Sequence, residues 1–226
     1  IVPVFFLIFY KVDKNPKINK NTNGKQRSYF ELLLNPIILQ AIITAAFAYS
    51  IMSFIMTATP ISMYKMHGFT LGSTSIVIQS HIIGMFLPSL ITGSLIKRYG
   101  HSAIIYSGTL IYLTCIFLSF YDQTFINYLI GLVLLGIGWN FLFIGGTSLL
   151  VLCYKESEKF KVQGFNDVLV FSIQSIASLI AGYSILKFSW NEINLVCIPL
   201  ILLIILVSIR ADIYKKKQNG IDKKLG

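Results

Sequence analysis

Charge is scarce in this sequence. Asp, Glu, Lys and Arg make up 12% of its 226 residues, about half the share of a water-soluble domain. Acidic residues are scarcer still, nine against 19 basic ones. Cysteine is limited to Cys115, Cys153 and Cys197. These have no close pair and no C-x-x-C, so they read as small buried hydrophobes and imply neither a disulfide framework nor a metal site. The contexts of His67, His81 and His101 contain no H-E-x-x-H, which excludes that class of intramembrane metalloprotease, and no signature marks an activated serine. No ATP-binding signature is present, which disfavours a primary pump, and no cofactor is implied. What is abundant is apolar: 55% of the residues are hydrophobic and the mean hydropathy is +0.72. The solvent of this chain is largely lipid.

The net charge of +10 does not indicate nucleic acid. The basic residues form short blocks between long apolar runs, which is how membrane topology is written. A membrane-crossing helix needs about 20 mainly apolar residues. Residues 35–57, 71–96, 102–121, 125–154 and 164–186 meet that requirement, and 193–209 is shorter but almost wholly apolar. Before them, 1–10 is an apolar run starting at Ile1 and too short to span, read here as the end of a helix whose beginning is missing. Residues 11–28 are polar, basic and Asn-rich, and read as a linker. The expected organisation is a truncated helix at 1–10, a linker at 11–28, an all-α six-helix membrane domain at 29–212 and a basic tail at 213–226. Alternate loops carry 17 of the 19 basic residues, leaving Lys65 and Lys187 on the other side. By the positive-inside rule the basic loops, the linker and the C-terminus are cytoplasmic.

Polar residues in hydrocarbon are costly, so their positions show which helices face protein or water. The third and sixth spans are nearly all apolar and read as peripheral. The other four carry the polar load. His81 shares a helical face with Thr74, Gly84, Pro88 and Thr92, and Gln79 points the other way. Gly136, Asn140 and Thr147 share a stripe beside Trp139, as do Asp167, Gln174, Ser178 and Gly182. On the first span Gln40 pairs with Thr44 and Tyr49 with Ser53. Four polar helices and two apolar ones predict a water-accessible cavity with four walls. Close packing explains Ser178 and Gly182 equally well, an interhelical bond Asn140, and a packing role His81. Asp167, read as one turn inside its helix, suits the positive N-terminus there.

The segment Gly93-Ser94-Leu95-Ile96-Lys97-Arg98-Tyr99-Gly100, between the second and third spans, resembles the G-x-L-x-D-R-x-G signature of the major facilitator superfamily. Gly93, Leu95, Arg98 and Gly100 match. Lys97 stands where the family places Asp, which marks the degenerate second copy, between family helices 8 and 9. The stretches 136–147 and 163–167 further resemble a bacterial subgroup of these transporters. The resemblance covers nearly the whole chain, as the end of helix 6 through helix 12. It implies that helices 7, 8, 10 and 11 line a central cavity. It also implies two inverted three-helix repeats in this half and alternating access around a site near the bilayer midplane. The missing N-terminal half would be the partner, with the lipid bilayer and a small-molecule substrate.

On these grounds Tyr49, Gln79, His81, Asn140 and Gln174 are expected to line the cavity. Gly93, Arg98 and Gly100 would shape a cytoplasmic gate loop, the glycines permitting its tight turn, with Asp167 as a gate partner. His81 is the one histidine inside a span, and its ordinary pKa near 6.5 suits a proton carrier. The competing reading is a self-standing channel or an integral-membrane subunit.

Overall fold

The computed structural model describes residues 26–225, with the backbone alone described over 219–225. The short N-terminal apolar run and most of the linker lie outside these residues. All regular structure among the described residues is helical.

Helix α1 (Tyr29–Leu34) starts at a capping box, in which Ser28 Oγ accepts from Glu31 N–H and Glu31 accepts from Ser28 N–H. Asn35 ends it and caps α2 (Pro36–Ile61), with Asn35 Oδ1 accepting from the Ile37 and Ile38 amides. Pro36 at the first helical position lacks only a donor that would have been orphaned anyway. A π-helical turn (Ser62–Met66) leads to α3 (Leu71–Phe86) and α4 (Ser89–Leu118). There follow α5 (Phe125–Val151), α6 (Lys159–Ser184), α7 (Trp190–Val196) and α8 (Ile198–Leu225).

Five stretches are long and apolar enough to cross a membrane, one of them 48 residues long, from Leu71 to Leu118. At 1.5 Å per residue that would reach roughly 70 Å, more than twice the ~30 Å hydrocarbon core. Gly100 divides it. Its φ of 83° and ψ of 162° lie in a region open essentially to glycine alone. Packing against α5 shows that the chain reverses there. Before Gly100 the partners run in parallel: Gly84 lies on Val133, and Thr92 bonds Asn140. After it they run antiparallel: Ile105 lies on Gly145, Gly108 on Leu142 and Tyr112 on Gly138. The 48 residues are therefore two spans, and the domain has six, as the sequence predicts.

Spans two, four, one and five form a row in that order, with spans three and six behind it. The fourth span, α5, is the hub. Tyr112 on the third span closes the back of the row, its hydroxyl donating to the Ala48 carbonyl 2.8 Å away. Among the described residues Arg27, Lys161 and Lys215 come to the same end of the bundle as the turn at Gly100, where α8 continues as helix past the tail boundary read at 213. Lys215, expected to be solvated, donates to Gln40 Oε1 and Ser102 Oγ and pairs with Asp212. Asp212 also accepts from Ser102 and Tyr106, so the end of span six is tied to spans one and three.

A second tie at that end holds the last of the linker. Arg27 makes a two-pronged ion pair with Glu158, at 2.7 and 3.0 Å, and donates to the Cys153 carbonyl. Glu158 has no solvent-exposed side-chain surface and also accepts from the Arg27 and Lys155 amides. These four donors, the Arg27 side chain foremost, hold its carboxyl down at about 2 from an ordinary 4.5. A depressed carboxylate contributes stability that is complete above about pH 4.5 and disappears as the pH falls through about 2. Glu158→Ala should cost roughly 2 kcal/mol at neutral pH, allowing for solvent screening at Arg27. Thermal melts in detergent should show this difference shrinking steadily between pH 4.5 and 2.

Candidate functional site

Seams between α-helices in lipid are closed by small residues and interhelical hydrogen bonds, because lipid is as apolar as the side chains it replaces. The seam between spans two and four shows both. A methyl group placed on Gly136 would stand 2.6 Å from the His81 carbonyl oxygen and 2.8 Å from the Met85 amide nitrogen. Only glycine permits that approach. Four residues on, Asn140 Nδ2 donates to the Met85 carbonyl (2.7 Å) and Ser89 Oγ (3.0 Å), while Thr92 Oγ1 donates to Asn140 Oδ1 (2.6 Å).

His81 lies in the same seam, fully buried. Its Nδ1 is 2.8 Å from the Leu132 carbonyl. A carbonyl only accepts, so Nδ1 carries the proton and Nε2 of the neutral ring presents its lone pair. That Nε2 is buried without a hydrogen-bond partner among the described residues. The polar stripe of the second span thus faces the fourth span. His81 and Asn140 belong to the seam rather than to an open cavity wall, because buried polar groups in a low-dielectric bundle pair across helix contacts.

The opposite face of the row is open and aromatic. Trp139 stacks on Phe143 with ring centres 5.0 Å apart and planes 9° apart. Tyr49 meets Trp139, Phe143 and Phe171 edge-on at 5.3, 5.3 and 5.9 Å. Phe86 meets Trp139 edge-on at 6.2 Å. One wall is therefore built from spans two, four, one and five together, each ring about midway along its span. Phe86 and Phe171 are 60% and 50% exposed, while Trp139 is buried. Of the five expected cavity residues, Tyr49 lies within this cluster and Gln174 is half-buried one turn beyond Phe171. Gln79 is exposed on the second span and donates to Ser75.

Polarity alone points to amides and histidine, so it passes over Phe86, Phe143 and Phe171 and marks Trp139 only as a neighbour of the Asn140 stripe. The i, i+4 pair Trp139 and Phe143 on a glycine-rich span was the available signal.

In the gate motif Gly100 makes the turn, but Gly93 is an ordinary helical residue with open space where its side chain would be. Arg98 lies over the Tyr99 ring, 5.1 Å from its centre. Asp167 is exposed and accepts from Asn166 (3.2 Å), and no contact joins it to Arg98. Because α6 starts at Lys159, Asp167 sits two turns inside, beyond the reach of the helix N-terminus.

A six-span bundle with a glycine reversal between spans two and three, and a four-helix wall at mid-depth, defines a helical integral-membrane domain. The model of the Major Facilitator Superfamily matches residues 41–225, and the chain belongs to that family. It is 33% identical over 209 residues to the riboflavin transporter RfnT of Brucella anthropi, covering 90% of this chain and 50% of that protein. It is 38% identical over 148 residues to the uncharacterized MFS-type transporter YdeG of Bacillus subtilis, covering 65% of this chain and 34% of that protein. The chain thus spans half or less of the length of these relatives. No solved structure matches it significantly.

The seam makes a sharp prediction. Gly136→Ala should destabilise the bundle by about 1–3 kcal/mol, the usual range for overpacking. Gly182→Ala, where nothing lies within 4 Å, should be neutral or slightly stabilising. Paired detergent melts of the two variants test this.

Proposed function

We propose that this chain is the C-terminal half of a secondary active transporter, which moves a small solute by alternating access and is not an enzyme. The observation that carries the reading is the mid-depth wall assembled from all four helices of the row. A wall with no opposite face on the same six spans is what one half of a two-part carrier presents, with the preceding half of the chain as its partner. Family membership and transporter-named relatives support the same reading. Its setting is a cytoplasmic membrane, bacterial by the company of its relatives, with the basic loop end facing the cytoplasm. Gly100 lets the second span turn tightly into the third at that end, and Arg98 and Asp167 are the groups there that meet the other half as the halves rock.

His81 is the proton carrier of this half. Its support is the Nε2 lone pair, which lies in the seam behind the wall and makes no hydrogen bond among the described residues. Full-length protein in proteoliposomes should show saturable solute exchange without ATP. His81→Ala should keep that exchange and lose accumulation driven by a pH gradient. ATP-dependent or non-saturating flux would refute the transporter reading, and an undiminished pH-gradient response in His81→Ala would refute the role of His81.

A further inference from the structure

Within the transporter reading, the wall itself says what kind of solute it takes. Its centre is five aromatic rings from four helices, two of them substantially exposed. Three polar groups within or beside these rings make no hydrogen bond among the described residues. Trp139 Nε1 is buried and unpartnered in a residue only 6% exposed. The Tyr49 hydroxyl, on the helix between spans four and five, has no partner. The Gln174 amide, one turn from Phe171 on the same helical face, has none either. A buried polar group without a partner costs about 1–3 kcal/mol, which applies here to the indole N–H alone; the half-buried hydroxyl and amide keep hydrogen-bonding capacity open at the same depth. Lysine and arginine are absent from the four wall spans at this depth, and the nearest charge is the exposed carboxylate of Asp167, one turn from Phe171.

Each class of solute can be matched against these features. A purely apolar molecule would leave the indole N–H and the amide unsatisfied. A phosphate or carboxylate would find no cation on this wall and an acidic group close by. A flexible polyol could bond the three groups but would leave the ring faces of Phe86 and Phe171 uncovered. A flat ring system with nitrogen and carbonyl groups on its edge satisfies both sets: its face lies on the aromatic cluster, and its edge accepts from Trp139 Nε1–H and exchanges hydrogen bonds with Tyr49 and Gln174.

We infer that this wall is a binding site for an uncharged planar heteroaromatic ring, stacked on the Phe86–Trp139–Phe143–Phe171 cluster and bonded at its edge by Trp139, Tyr49 and Gln174.

The test uses the full-length protein in detergent and in proteoliposomes, with riboflavin, lumichrome and adenosine as neutral planar probes. Riboflavin 5′-phosphate and glucose are the contrasts. Binding is read by equilibrium dialysis and, for the flavins, by quenching of their fluorescence on stacking. At least one planar probe should bind saturably, with glucose not competing. Where riboflavin is bound, its phosphate ester should bind about tenfold more weakly or worse. Phe171→Ala and Phe86→Ala remove exposed rings with little effect on packing. Each should weaken binding about tenfold, within the range for loss of one stacked ring. Trp139→Phe removes the donor while keeping a smaller aromatic face and should weaken binding several-fold more than the accompanying loss of stability explains, which a melt of the same variant measures.

Binding of none of the three probes, or full affinity in both Phe→Ala variants, overturns the inference. The transporter reading fails separately. A planar probe that binds at this wall but never exchanges across the vesicle leaves the site standing and removes transport. Saturable exchange of a non-aromatic solute with no planar binding does the reverse.

Discussion

The bundle depends on how closely other backbones can approach the fourth span. Gly136 admits the second span to contact distance, and Gly146 admits the first: a methyl group there would stand 2.8 Å from the Ala41 carbonyl oxygen. On the back, Gly138 accommodates the Tyr112 ring, and Gly145 lies against Ile105 of the third span. Lipid offers no hydrophobic drive for helix association, so the contact area gained by removing side chains from one hub helix holds three neighbours in register. That register brings Phe86, Trp139, Phe143 and Tyr49 to one depth. The fifth span joins through the first, with Thr57 and Ser178 sharing a 3.0 Å hydrogen bond.

The four-helix row has two faces of different chemistry. Its seams take the polar groups, Asn140 with Thr92 and Ser89 being the fullest example, and its open face takes the rings. This division is economical in hydrocarbon, where an unpaired amide is costly and an aromatic face is not. The exceptions are informative. His81, Trp139 and Tyr49 each retain a polar atom without a hydrogen-bond partner among the described residues, His81 inside the seam and the other two at the aromatic face.

Much of this was legible in the sequence. Apolar runs mark out the six spans, because burial in hydrocarbon follows from transfer energies that act residue by residue. Gly100 was legible as the turn of a recognisable motif. The rest turned on helix rotation and on contacts distant in sequence. Nothing local distinguishes a stripe facing a neighbouring helix from one facing a cavity, so for His81 and Asn140 the sequence leaves both a packing role and a cavity role open, and the hydrogen bonds across the seam appear only in the fold. Asp167 was misjudged because its helix begins at Lys159, anchored by Glu158 reaching back to Arg27 across 131 positions. Lys215 looked like one more lysine of a basic tail until the fold set it beside Gln40.

The proposed carrier requires the aromatic face of the row to line an aqueous path while the back of the bundle meets lipid. Single cysteines at Gln174 on the wall and at Leu110 on the third span, which is 66% exposed, separate the two directly. A hydrophilic maleimide applied to the full-length protein in membranes should label position 174 readily and position 110 hardly at all. Equal labelling, or the reverse order, would contradict the account.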